Sequence, residues 1–538
     1  MLLQSTLPQS PLFHHQFHSN TNASSSYSLQ FPSGFCKSTN LSSITRRKHP
    51  CTTCAVPLVH NYGTLDYERK PAWKWSHYYK KLSLMENPEK GAASILNQCE
   101  NEGKRFTKWE LCRIVKELRK FRRFKLALEV YEWMNVRAER FRISTSDTAI
   151  QLDLISKVHG ISDAEDYFMK LPDSLKDKRI YGALLNSYVH AKKKEKAESM
   201  IAQMKDRGYA SHALPYNVMM TLYMNFKDHD KVYSVVSEMM EKQIPLDIYT
   251  YNIWLSSCGS QGSAEKMEQV FEQMKLDNTI NPNWTTFSTM ATMYIKMRQL
   301  EKAELYLRKL EGRITGRDRM PYHFLISLYG SCGNKEEALR VWNIYRQTFP
   351  TIPNLGYHAI ISSLVRVDNI EMAENIYEGW LTVKSTYDPR IANLIMGWYV
   401  RNGKFEKAEE FFEDIVDVAG GKRNSTTWEI LGEIYINKKK ISEALSCLQE
   451  AALAEGSKFW KPKPTNLSAI LKLCNQEGDE DSKEALLGIL KKLNCLDDEA
   501  YAPYVSISAG DELPTEKDGA DDDINNAEVF LNQPQGSL

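Results

Sequence analysis

The sequence predicts an all-α protein, an α-solenoid of about ten helix-turn-helix repeats of about 35 residues, with disordered termini. Three observations predict it. First, a small residue recurs in the second helix of successive units, at Ala127, Ala197, Ala303, Ala338, Ala373, Ala408 and Ala444. The gaps are 70, 106, 35, 35, 35 and 36 residues. Ala164 falls inside the first gap, two residues late, and Val232 and Met267 fill the second. Second, residues 247–283 carry two apolar stripes, Tyr251, Trp254, Leu255 and Cys258, then Met267, Val270, Phe271 and Met274. Each is spaced for one face of a helix, with a break at Gly259 to Gly262 between them. Neither helix of such a hairpin buries its stripe alone, so neighbours of the same kind are implied. Third, the chain has 538 residues, too many for one core, and no apolar run of 18 residues.

The elements follow in order. Residues 1–54 contain no Asp or Glu and four basic residues, Lys37, Arg46, Arg47 and Lys48. Ser-rich and acid-free, this stretch reads as an organellar transit peptide, chloroplast rather than mitochondrion, with a cut near Cys54 and Ala55. An ordinary disordered tail is the alternative. Cys51 and Cys54 form the one CxxC pair, without the second pair a zinc site needs. Other cysteines, such as Cys112, Cys258 and Cys447, fall at helix-packing positions and read as reduced core thiols. Residues 55–107 read as an N-terminal cap, with the aromatic cluster Trp73, Trp75, Tyr78 and Tyr79 and a short helix at Ala92–Leu96.

The repeats are placed at 108–142, 143–177, 178–212, 213–247, 248–283, 284–318, 319–353, 354–388, 389–424 and 425–463. The register of the second is unsettled by Ala164, and that of the tenth by an insertion over 455–463. Residues 464–495 supply a closing helix pair. From 496 to 538 the chain has eleven acids and one Lys, too little hydrophobicity to order itself, and reads as a disordered tail. The net charge of +1 therefore hides a leader of +4, a tail of −10 and a middle of +7, the last compatible with nucleic acid.

First helices open with Thr250-Tyr251-Asn252, Pro215-Tyr216-Asn217, Thr286-Phe287-Ser288 or Pro321-Tyr322-His323. Repeats close with Ile244-Pro245-Leu246-Asp247 or Ile280-Asn281-Pro282-Asn283, and second helices are entered through Gly333…Ala338 or Gly403…Ala408. The Trp…Leu-Gly…Tyr pattern of the 34-residue tetratricopeptide repeat is not present. Over residues 108–463 the chain resembles the pentatricopeptide repeat family, in its plant organellar, pure-repeat (P) form. The resemblance implies a right-handed superhelix that binds single-stranded organellar RNA. It further implies support of transcript stability, processing or translation by occupying that RNA, together with processing or translation factors. The chain is expected to act as a monomer, without membrane insertion, cofactor, metal or catalysis. It has neither the His-x-Glu and Pro-Cys-x-x-Cys signature of a deaminase nor clustered carboxylates for a nuclease.

A helical repeat reads one splayed-out base with two or three side chains. In the family these are the fifth and last residues of each repeat, which here gives Asn217 with Asp247, Asn252 with Asn283, Ser288 with Asp318, and Asn393 with Asn424. By the family's scheme Asn with Asp reads uracil, Asn with Asn a pyrimidine with cytosine preferred, and Ser with Asp guanine, so the first three read 5′-U-(C/U)-G-3′ and the fourth another pyrimidine three steps on. The remaining pairs depart from the scheme: Gly182 with His212, His323 with Pro353, His358 with Asp388, Cys112 with Arg142 and Glu429 with Lys463. A purely structural role stays open, since Asp247 suits the N-cap of the following helix. A protein-interaction scaffold on the same surface is the alternative function. The 35-residue spacing of His323 and His358 reflects the repeat, with no acid–base partner to suggest catalysis.

Overall fold

The computed structural model describes residues 72–83, 91–315, 318–417, 420–454, 460–493, 495 and 501. The leader with Cys51 and Cys54, and the acidic tail apart from Tyr501, lie outside the described residues. The described residues all belong to one compact unit, Pro71–Leu538. Among the described residues this unit holds twenty-four α-helices and no strand. None of these helices is long and apolar enough to cross a membrane.

The helices alternate as first (A) and second (B) members of hairpins. After α1 (Ala72–Ser83) and α2 (Gly91–Asn101) come α3 (Lys108–Lys120) and α4 (Phe124–Asn135), then α5 (Thr145–Val158) and α6 (Ile161–Lys170). Next are α7 (Lys178–His190), α8 (Lys194–Asp206), α9 (Ala213–Asn225) and α10 (His229–Glu241). The centre is α11 (Ile248–Ser260), α12 (Ala264–Leu276), α13 (Trp284–Lys296) and α14 (Leu300–Glu311). Then follow α15 (Met320–Ser331), α16 (Lys335–Thr348), α17 (Asn354–Arg366), α18 (Ile370–Val383), α19 (Pro389–Arg401) and α20 (Phe405–Asp417). The last are α21 (Ser425–Asn437), α22 (Ile441–Leu453), α23 (Pro464–Glu477) and α24 (Glu480–Lys492).

From α5 onward each A helix packs on its own B helix and on the A helix after it, as α15 does on α16 and α17, and α15 also packs on α13 before it. That is why A helices are buried around most of their girth and B helices along one stripe. In α13 every residue from Thr286 to Ile295 is buried, whereas α14 buries Ala303, Tyr306, Leu307 and Leu310. The recurring small residues, Ala127, Ala164, Ala197, Ala303, Ala338, Ala373, Ala408 and Ala444, are all at most 1% exposed. A larger side chain there would overpack the crossing. A helices of adjacent repeats also approach closely: a Cβ on Gly330 of α15 would lie 2.5 Å from Cβ of Ser363 on α17.

The A-to-B turn repeats one conformation in nine repeats, while between α5 and α6 the left-handed residue is Gly160 at φ 103°, four residues before Ala164. Arg122, Lys192, Lys227, Gly262, Arg298, Gly333, Asp368, Gly403 and Lys439 all have φ between 53° and 77°. Each stands five residues before the small or apolar B-helix residue of its repeat. This is the left-handed residue that ends a helix, a place glycine usually takes. Ala164 stands nineteen residues after the start of α5, as Ala127 does from α3 and Ala197 from α7. Its lateness comes from the link between α4 and α5, residues 136–144, which is longer than the link 207–212 between α8 and α9.

At one end, Tyr78 of α1 sits edge-on to Phe106 at 5.0 Å, and the Arg113 guanidinium lies 5.2 Å from the Trp75 ring. At the other, Leu486, Ile489 and Leu490 of α24 join Ile441, Leu445 and Leu448 of α22 in a separate cluster. Between them the core of buried side chains runs unbroken from Ala149 to Cys447.

Candidate functional site

The fifth residue of an A helix lies against the cap of the next A helix. Asn217, 7% exposed, donates from Nδ2 to Oδ1 of Asp247 at 2.9 Å. Asp247 is the N-cap of α11, and the same Oδ1 accepts the Thr250 N–H at 2.8 Å. The Thr250 hydroxyl, wholly buried, lies 2.7 Å from Asn217 Oδ1 and 2.9 Å from Asp247 Oδ1. Three residues from two repeats thus close a ring. Asn393, Asn424 and Thr427 repeat it: Nδ2 to Asn424 Oδ1 at 3.1 Å, and the Thr427 hydroxyl 2.8 Å from both amide oxygens.

The Asn252 and Asn283 pair is joined differently. Asn283 caps α13 by accepting the N–H groups of Thr285 and Thr286 and, at 2.6 Å, the Thr285 hydroxyl. Asn252 donates to that hydroxyl at 3.0 Å, so the two asparagines meet through Thr285. Asn252 Oδ1 and Thr286 Oγ1, the atoms matching the bonded pair of Asn217 and Thr250, are buried without partners. Ser288 and Asp318 are not brought together. Ser288 is 0% exposed, its hydroxyl donating to the Thr285 carbonyl of its own helix, while exposed Asp318 accepts the Met320 N–H.

Elsewhere the same frame carries other chemistry. Glu429, 3% exposed, accepts the Lys463 N–H at 2.6 Å, Trp460 Nε1 at 3.3 Å and Asn466 Nδ2 at 3.4 Å. Burial pushes its carboxyl above the usual range, although these hydrogen bonds pull the other way. His323, 6% exposed, is bonded through Nε2 to the Tyr345 hydroxyl at 2.9 Å, with Nδ1 buried and unpartnered. Burial, with Arg319 nearby, pushes its pKa down to about 4. At Cys112 the cap that follows is Ser144, two residues beyond Arg142, and the thiol faces Asp147 of α5 at 3.6 Å. Gly182 leaves open space, with nothing within 4 Å of where a Cβ would be.

Two features were not singled out from the sequence. Apolar side chains one turn before the fifth position are exposed: Trp109 by 54%, Leu214 by 41% and Tyr249 by 48%. Residues three apart share a helix face, so Leu214 flanks Asn217 and Tyr249 flanks Asn252. An exposed aliphatic or aromatic residue in that place is the signal that would have found them. The second feature is a row of cations on the A-to-B turns: Arg122, Lys192, Lys227, Arg298 and Lys439 are all exposed, and exposed Lys120 and Arg401 end their A helices. Lys and Arg at a helix C-terminus also complement its dipole.

Comparison with known proteins adds family and relatives. The PPR repeat family model matches residues 214–260, and the PPR repeat model matches 179–209, 249–278, 285–313, 321–344 and 391–417. A pentatricopeptide repeat-containing protein of Arabidopsis thaliana is 56% identical over 91% of this chain and 92% of its own. A second, named mitochondrial, is 33% identical over 83% of this chain and 89% of its own. Another Arabidopsis thaliana relative, large ribosomal subunit protein mL101, is 38% identical over 77% of this chain and 84% of its own. A crystal structure of the pentatricopeptide repeat protein PPR10 with an 18-nt psaJ RNA element aligns at a TM-score of 0.45 and 16% identity, over 79% of this chain and 61% of that one. Matching repeats and a relative of this identity over nearly the whole length lead to one conclusion: the chain belongs to the pentatricopeptide repeat family.

Proposed function

We propose that the chain binds single-stranded RNA in an organelle and acts by occupying it, without catalysis. The observation that carries this reading is the Asn217–Asp247 pair and its copy at Asn393–Asn424. Each joins a fifth residue to the next cap, and Asn217 lies one turn from exposed Leu214, which is able to cover a base face. Leu214 and Tyr249 supply the apolar contact in two consecutive repeats, and the cations at the far ends of the A helices suit phosphates. The separation of eight residues between a fifth position and a helix end is about 12 Å, within reach of one nucleotide's backbone. Base contacts then set sequence and phosphate contacts set affinity, which falls with salt.

The transit-peptide composition of 1–54 supports import into an organelle, with the chloroplast as our reading. Several relatives carry mitochondrial names, which favours the alternative, and imaging of the full chain fused to a fluorescent protein separates the two. A second reading has support in the mL101 relative, a ribosomal subunit protein. On that reading, the surface holds ribosomal RNA and protein together, and steps without a polar pair, such as Gly182, contact protein.

The test is a binding series with RNAs containing U-(C/U)-G. Asn217→Ser with Asp247 retained should move preference at one base from uracil towards guanine, by several-fold. No single-stranded RNA binding at moderate salt would sink the RNA reading, and an unchanged ranking would sink the register.

A further inference from the structure

We propose that the third residue of an A helix is a positioning residue for the fifth residue of the A helix before it. The Thr250 and Thr427 hydroxyls hold the amides of Asn217 and Asn393 so that each meets a base through its nitrogen. A base contact thereby depends on three side chains, not two. This rests on the reading of Asn217 as a base-contacting residue.

The direction of the ring is set by main-chain donors. In one copy the Thr427 N–H points at Asn424 Oδ1, at 2.9 Å. A main-chain N–H has no alternative role, so Asn424 Oδ1 is an acceptor, and Asn393 has to offer it Nδ2. That turns Asn393 Oδ1 towards the Thr427 hydroxyl, which is 0% exposed. In the other copy Asp247 is a carboxylate and accepts only, which imposes the same direction on Asn217. The oxygen therefore faces a buried hydroxyl, and the nitrogen faces a half-buried cap with a second N–H uncommitted. Opposite Asn217 a uracil O4 is an acceptor for that N–H, and the cytosine amine in the same place is a donor and is rejected.

The repeat that follows Asn217 lacks the lock. Thr286 is the third residue, yet its hydroxyl and Asn252 Oδ1 are both buried without partners, and Asn252 Nδ2 is bonded to Thr285 instead. An amide held at one end only is free to present either edge, which fits a step that accepts both pyrimidines. Turned over, that amide would offer its oxygen to a cytosine amine.

The experiment uses the full chain and RNAs differing only by U or C opposite Asn217, with a second pair varied opposite Asn252. Parent protein should favour U opposite Asn217 by about tenfold, against about twofold at Asn252. Thr250→Val keeps the shape and removes the hydroxyl. It should bring the preference opposite Asn217 to within about twofold, leave the step at Asn252 unchanged, and be reversed by Thr250→Ser. Thr427→Val tests the same lock at Asn393 should Thr250→Val fail to fold. Full discrimination in Thr250→Val, or equal loss in Thr250→Ser, would overturn the proposal while leaving RNA recognition standing. Parent protein that binds RNA but ranks U and C equally overturns the base-reading and this inference with it.

Discussion

The repeats that contain Asn217 and Glu429 share one frame and fill it with opposite chemistry. In both, a fifth residue meets the next cap and the third residue of the next helix: Asn217, Asp247 and Thr250 in one, Glu429, Lys463 and Asn466 in the other. At Asn217 the fifth residue is neutral, and one N–H is left over. At Glu429 it is a carboxylate consumed by a main-chain N–H, an indole and an amide, all from its own chain. The frame is thus a joint between repeats, with about 1 kcal/mol per cap hydrogen bond behind it. On the RNA reading proposed above, base recognition is added where the joint leaves a donor unspent.

Exchanging the two fillings should have the largest effect. Asn217→Glu sets a carboxylate within hydrogen-bond distance of Asp247, and two like charges in contact, one of them buried, are costly. We expect a loss of about 2–4 kcal/mol, read by hydrogen exchange in α9 and α11, with loss of base preference at that step. Adding Asp247→Lys and Thr250→Asn rebuilds the joint found at Glu429 and should recover most of the stability without the preference. A single variant as stable as the parent would show that the joint does not carry charge in the way Glu429 implies.

A change of pH should separate two non-reading joints in opposite directions. His323 has its pKa lowered to about 4, so the unfolded chain takes up a proton before the folded one does. Its contribution is whole above the ordinary histidine pKa near 6.5 and is lost as pH falls towards 4, by about 3 kcal/mol at most. Glu429 has its carboxyl raised, so the folded chain takes up the proton first and acidification relieves that joint. Hydrogen exchange corrected for its intrinsic pH dependence should show α15 loosening between pH 7 and 5 and α21 holding or tightening. His323→Phe should remove the loss in α15; persistence of the loss would place its origin elsewhere.

How much of this was legible depended on whether the signal was local. The hairpins and their small B-helix residues showed in the sequence because Ala127 through Ala444 repeat at a fixed interval. Asn217 and Asp247 were picked out by the family resemblance, as the fifth and last residues of their repeat. The Thr250 hydroxyl did not stand out, since a Thr at the third helical position is an ordinary capping residue, and its bond to Asn217 spans 33 residues. Ser288 carried the right letters, yet its hydroxyl turned to the carbonyl of Thr285, a common choice for serine in a helix. The turns were visible at Gly262, Gly333 and Gly403, and hidden at Arg122, Lys192, Lys227 and Arg298, where side chains occupy the same left-handed backbone.

Those turns supply the smallest test, and its two readouts should move in opposite senses. Lys227 has φ 55° and Gly262, in the next repeat, φ 73°. A residue with a Cβ is strained there by about 1 kcal/mol relative to glycine. Lys227→Gly should therefore stabilise α9 and α10 by about that amount, and Gly262→Lys should cost about as much in α11 and α12. If the exposed lysines of this edge hold phosphates, Lys227→Gly should also lower RNA affinity equally for all sequences and reduce the slope of log K against log salt by about one. Gly262→Lys should raise affinity in the same indiscriminate way. A turn lysine kept at a conformational cost is then explained by the charge it presents, whereas an unchanged salt slope would assign the cations of this edge to the helix C-termini alone.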